Sequence, residues 1–150
     1  MRTSSKWSST HGRAACWIAV VICTAGCGPK GPDVVEVRGR ITKGGRPVSH
    51  VVVQFYPEQG RPSAARTDGD GNYELEFSED IPKGAMPGKH NVSIQIVQER
   101  IDEPINLKDP KYHPEMAQIL KNFGDWSNTK LQVEVRHEQP VIDIELDNFL

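Results

Sequence analysis

The stretch Val34-Val35-Glu36-Val37-Arg38-Gly39-Arg40-Ile41-Thr42, followed at once by Lys43-Gly44-Gly45-Arg46-Pro47, decides the fold class. From Val35 onward the apolar side chains fall on every second residue. Val35, Val37, Gly39 and Ile41 share one face, and Glu36, Arg38, Arg40 and Thr42 share the other. Alternation with a period of two is the mark of a strand with one face buried and one wet. Gly44-Gly45 supplies positive φ for a tight turn, and Pro47 closes it.

The same pattern recurs downstream. Val51, Val53 and Phe55 point inward from a strand at Val48 to Tyr56, which Pro57 ends because proline has no N–H for the ladder. Pro62 to Thr67 makes a short edge strand. After the dense turn Asp68-Gly69-Asp70-Gly71-Asn72, Tyr73, Leu75 and Phe77 alternate with Glu74 and Glu76. His90, Val92, Ile94 and Ile96 alternate next, then Leu131, Val133 and Val135, and finally Ile142, Ile144 and Leu146. The pattern predicts an all-β, seven-stranded antiparallel β-sandwich. Residues 99–129 interrupt it with Pro104, Pro110 and Pro114. They predict a long excursion carrying one short helix before the last two strands. Met116, Ile119 and Leu120 share that helix's face, and Pro114 suits its first turn.

The chain has 150 residues, 18 Lys+Arg, 20 Asp+Glu and three cysteines. An average charge of -2 hides two unlike parts. Residues 1–26 carry Arg2, Lys6 and Arg13 and no acid, whereas the remainder carries 15 basic and 20 acidic side chains. The net of -5 on that larger part argues against nucleic acid as a partner.

Residues 1–26 read as an export signal. A basic, Ser/Thr-rich start leads into the 12-residue apolar run from Ala14 to Ala25. That length fits an h-region of about 7–15 residues and falls short of the ~20 of a spanning helix. The run ends Thr24-Ala25-Gly26-Cys27, which resembles the bacterial lipobox. The resemblance implies cleavage after Gly26 and lipidation of Cys27, so that the chain meets the membrane through an N-terminal lipid. Thr24 departs from the aliphatic residue usual there. Several acyl chains on one cysteine anchor more firmly than a single chain. Residues 27–33 then form the lipidated cysteine and a Gly/Pro tether, and 34–150 form the domain. The export signal and lipobox place the domain in the cell envelope, lipid-anchored and extracytoplasmic. Gly28 is not the Asp that holds some lipoproteins at the inner membrane, a hint of the outer membrane that leaves the choice between the two membranes open. Cys16 and Cys23 leave with the signal, so the domain needs a core that stands without disulfides.

The order of strands and turns is similar to a carboxypeptidase regulatory-like domain. Gly39 to Val48, then Val53-Gln54-Phe55-Tyr56-Pro57, then Thr67 to Leu75 carry the likeness. Gly84-Ala85-Met86-Pro87-Gly88-Lys89-His90-Asn91-Val92 resembles small lipoproteins of planctomycete-type bacteria. The resemblance covers about residues 34–146. It implies a transthyretin-like (prealbumin-like) sandwich, no catalysis and no cofactor, and a structural or interaction role with an envelope protein or glycan.

Candidate sites are few. Asp68, Asp70 and Asn72 sit at calcium-loop positions one, three and five, with Glu79 at twelve. Position six holds Tyr73 where an EF-hand needs glycine, and the flanks read as strands, so a β-turn is the better reading. His50, His90, His113 and His137 show no metal-ligand spacing. Ser49-His50 with Asp68 has no triad spacing, and no G-x-S-x-G, P-loop or H-E-x-x-H motif occurs. The His pair of intradiol dioxygenases and the C-terminal tail of hydroxyisourate hydrolases are also missing, which leaves an enzyme on a transthyretin-like fold as a remote alternative. The excursion gathers Tyr112, His113, Phe123 and Trp126. They are candidate ligand contacts for a carbohydrate or peptide, or else a cover over the end of the sandwich.

Overall fold

The computed structural model describes residues 31–78, 83–96 and 104–150. Residues 1–30, with the expected export signal, Gly26 and Cys27, lie outside the described residues, as do Glu79 and the start of the excursion. Among the described residues no helix is long and apolar enough to cross a membrane.

The described chain forms an all-β sandwich of two four-stranded sheets with one α-helix. The first sheet centres on β1 (Arg38–Lys43). The two-residue turn Gly44-Gly45, with φ of +56° and +72°, folds β1 back onto β2 (Arg46–Pro47). Both central residues of this turn need positive φ, which is why the sequence has two glycines there. Further along the same edge of β1, β5 (Asn72–Glu74) pairs antiparallel, setting Tyr73 opposite Gly39. The second sheet has the order β4-β3-β6-β7, from β3 (Val52–Pro57), β4 (Ser63–Arg66), β6 (Gly88–Gln95) and β7 (Gln132–Val135). Its register places Val53 beside Ala65 and Ile94, and Phe55 beside Val92, all on the core face.

The last strand departs from the antiparallel expectation. β8 (Ile144–Glu145) runs parallel to β1, with Ile41 opposite Ile144 and Thr42 opposite Glu145. The chain reaches it by crossing from β7 in the other sheet, and only such a crossover allows parallel pairing. A 3-10 turn, Leu146–Phe149, ends the chain.

The two sheets join at one corner. Just past β5, Glu76 exchanges backbone hydrogen bonds with Ala64 of β4, so one segment serves both sheets. Elsewhere the helix α1 (Met116–Phe123) covers part of the core. It packs beside β6, whose Gly88–Asn91 half is already paired with β7. Met116, Ile119 and Phe123 turn inward at helical spacing and join Val37, Ile41, Phe55, Leu75, Ile94 and Ile144 in one core. The helix begins after Pro114, and Met116 N–H and Ile119 N–H donate to the His113 and Glu115 carbonyls. It stops at Gly124, whose N–H donates to the Leu120 carbonyl at 2.8 Å.

Candidate functional site

The acidic turn is built as a turn. One oxygen of Asp68 accepts the backbone N–H of Asp70 at 2.9 Å and of Asn72 at 2.8 Å. The other accepts the Asn72 side-chain amide at 3.0 Å. These donors, led by the Asn72 amide, hold the Asp68 carboxyl below the usual carboxylate range. Both oxygens are therefore engaged in shaping the loop that precedes β5. Among the described residues no group of three or more His, Cys, Asp or Glu side chains is placed to hold a metal ion.

The four aromatic and histidine candidates of the excursion do not converge. Tyr112 and His113 line a cleft of about 750 Å³ against the Arg46–His50 segment. Trp126 lines a smaller depression with Tyr56 and Asn91. Phe123 belongs to the core, where the inward face of α1 carries it.

His113 is buried and serves as a strut. Its Nδ1 accepts the Glu115 N–H at 3.1 Å, so Nε2 carries the proton and donates to the Lys43 carbonyl at 3.1 Å. Tyr112 is half-buried, with the Lys111 ammonium 5.0 Å from its ring centre. The Ser49 hydroxyl donates to the Lys111 carbonyl at 2.8 Å. That bond commits Ser49 to the wall of the cleft and not to a nucleophilic pair with His50.

Trp126 stays 49% exposed. Its ring stacks on Tyr56 with centres 5.1 Å apart and planes inclined by 21°. The Tyr56 hydroxyl donates to Gln54 Oε1 at 2.7 Å, and Asp125 Oδ1 accepts from the Ser127 backbone and hydroxyl. Beside the rings, Gln132 Nε2 donates to Asn91 Oδ1 at 3.0 Å.

Lys43 is a feature that the sequence reading passed over. Its side chain is only 9% exposed, and its Nζ lies 2.7 Å from Asp147 and 3.3 Å from Glu115. The other Asp147 oxygen accepts the Gly44 N–H at 2.6 Å. Lys43 and Gly44 together hold the Asp147 carboxyl down at about 2, and Asp147 in turn raises Lys43. One lysine thus joins the first hairpin, the start of α1 and the C-terminal turn. The signal was present, since Lys43 continues the inward face of Val37 and Ile41.

Compared with protein-family models, curated proteins and solved structures, the chain matches none of them. The fold and these sites define an all-β sandwich that sets Tyr112 and His113 on one surface depression and Trp126 on another.

Proposed function

We propose that the chain is a lipid-anchored, non-catalytic β-sandwich module of the bacterial cell envelope, with a structural or protein-interaction role. The carrying observation is the Thr24-Ala25-Gly26-Cys27 junction behind an apolar run, followed by a domain without cysteine. The finer reading is a carboxypeptidase regulatory-like, transthyretin-like sandwich of seven main strands with β2 as an added hairpin arm. The polar side chains best placed for chemistry are committed to structure: His113 is a strut, Asp68 caps a turn and Ser49 ties a wall. In this reading Cys27→Ser moves the protein from the membrane to the soluble fraction of cells. A variant that still sediments with membranes refutes the anchor.

The exposed Trp126 on Tyr56 favours a second reading, a carbohydrate-binding lipoprotein. An aromatic face beside the Asn91–Gln132 amide pair suits a sugar ring, with the pyranose C–H face on the indole and hydroxyls on the amides. The only tryptophan outside residues 1–26 is Trp126, so its fluorescence reports directly on the site. Neutral glycan fragments that leave this emission unchanged refute that reading.

A further inference from the structure

The larger cleft has a charge and a rigidity that the proposed role leaves unexplained. Arg46, Lys108 and Lys111 line it, against a single carboxylate, Asp109. Asp109 is already engaged: one oxygen accepts the Lys111 N–H at 3.0 Å, and the other lies 4.0 Å from the Lys111 ammonium. Arg46 and Lys108 have no ion pair among the described residues. Outside residues 1–26 acids outnumber bases 20 to 15, so two uncompensated cations on one cleft stand out against the molecule's field. A concave wall of low dielectric concentrates such a field and draws in ligands of opposite charge.

The cleft is also formed in advance. Pro47, Pro110 and Pro114 restrict its walls, the Ser49–Lys111 bond ties them together, and the His113 strut backs them. Little ordering is left for a ligand to impose. A volume of about 750 Å³ is that of a small-molecule site.

A third observation is independent of charge. His50, on this cleft, has φ of +58° and is the one non-glycine residue with positive φ among the described residues. The bend lets Val48 and Val51 both enter the core on either side of it. Glycine would make that bend without strain, and histidine shares with asparagine and aspartate a tolerance for it. Of these residues only histidine also sets an imidazole on the cleft.

We infer that this cleft binds a compact oxyanion ligand, carrying carboxylate or phosphate groups, with Arg46 and Lys108 as its charge partners and His50 as a hydrogen-bonding partner. The inference does not depend on the lipid anchor or on the Trp126 surface.

The test uses the full chain in detergent micelles at constant ionic strength. Its melting temperature is followed against inorganic phosphate, trigalacturonate and neutral maltotriose. At about ten times its Kd, a true ligand raises Tm by about 4–8 °C. At least one anionic probe gives this rise, maltotriose gives none, and the choice between the anions tells phosphate from carboxylate. Arg46→Gln with Lys108→Gln, both exposed positions, keeps the far-UV dichroism and loses most of the rise. His50→Gly melts higher without ligand and binds the active probe about threefold more weakly or worse. The inference is overturned if neither anion shifts Tm, if maltotriose shifts it equally, or if the double variant keeps the full rise. A His50→Gly chain that binds the probe as tightly as before removes His50 from the site.

Discussion

Gly39, Tyr73 and Asp143 form a device whose removal gives a sharp numerical expectation. In a regular parallel ladder, Arg40 N–H would bond the Ile142 carbonyl. Here Arg38 N–H bonds the Pro140 carbonyl and Ile142 N–H bonds the Arg38 carbonyl, but Arg40 N–H turns to Asp143 Oδ1 at 2.9 Å. The Ile142 carbonyl leans inward over Gly39 and accepts the buried Tyr73 hydroxyl at 2.6 Å. It leans so far that a Cβ on residue 39 would lie 1.9 Å from that oxygen. Tyr73→Phe leaves the carbonyl without this donor, and an unsatisfied buried acceptor costs about 1–3 kcal/mol. Gly39→Ala pushes the carbonyl out and costs about 1–3 kcal/mol by overpacking. For a domain of this size each kcal/mol lowers Tm by about 3–6 °C. The decisive measurement is the double variant in urea melts. Once the methyl added by Gly39→Ala has displaced the carbonyl, Tyr73 has already lost its partner, so the double loss falls short of the sum by about 1 kcal/mol. Strict additivity refutes the device. The same burial, helped by the charge of Asp143, holds the Tyr73 phenol well above its ordinary value. The stability this gives is complete below the ordinary tyrosine pKa of about 10 and is lost as pH rises beyond it. In alkaline titration the phenolate absorbance of the native chain lags, and Tyr73→Phe removes only the late fraction.

The Asp147 carboxyl, held at about 2 by Lys43 and Gly44, contributes stability above its ordinary value near 3.8 that is lost as pH falls toward 2. Asp147→Asn flattens that limb of a Tm-against-pH curve, and an unchanged limb would show that the carboxylate is idle. Gly45→Ala meets no neighbouring atom but keeps φ at +72°, so its cost is conformational, about 1–2 kcal/mol in denaturant melts; no loss would mean that the turn relaxes to another type. Ile119→Ala opens a cavity under α1 and costs about 2–5 kcal/mol. A loss below about 1 kcal/mol would make the helix an attachment and not a part of the core.

The parts of this fold legible in the sequence are those whose information is local. Alternation located β1, β3, β6 and β7, because a half-wet sheet writes its burial into every second residue. Gly44-Gly45 announced its turn, and Met116 and Ile119 announced the inner face of α1. The direction of β8 was not legible. Ile142, Ile144 and Leu146 alternate identically whether the strand runs parallel or antiparallel, and the choice is made by a crossover between sheets. Gly39 read as a gap in an apolar face, yet its smallness serves the carbonyl of Ile142, far along the chain. The site was legible only in part. The excursion was visible as a region, but Phe123 faces the core because the 3.6-residue period that buries Met116 and Ile119 carries it inward too. Tyr56, the partner of Trp126, gave no signal, and neither did the left-handed turn at His50, since nothing in the order Ser49-His50-Val51 requires it.

The C-terminal segment draws these observations together. Arg40 meets Asp143, Thr42 meets Glu145, and Gly44 meets Asp147, each pair separated by 103 residues. β1 and the turn after it are therefore read off, two residues at a time, by the segment Asp143–Asp147. Contacts so distant in sequence give little return until the intervening chain is ordered, because the loop-closure entropy comes first. Until residues 140–147 dock, Lys43 lacks Asp147, and the Ile142 carbonyl is not available to Tyr73. The first hairpin can form locally, but the sheet it belongs to stays one strand short. A sheet completed by so distant a segment closes only when residues 140–147 reach β1.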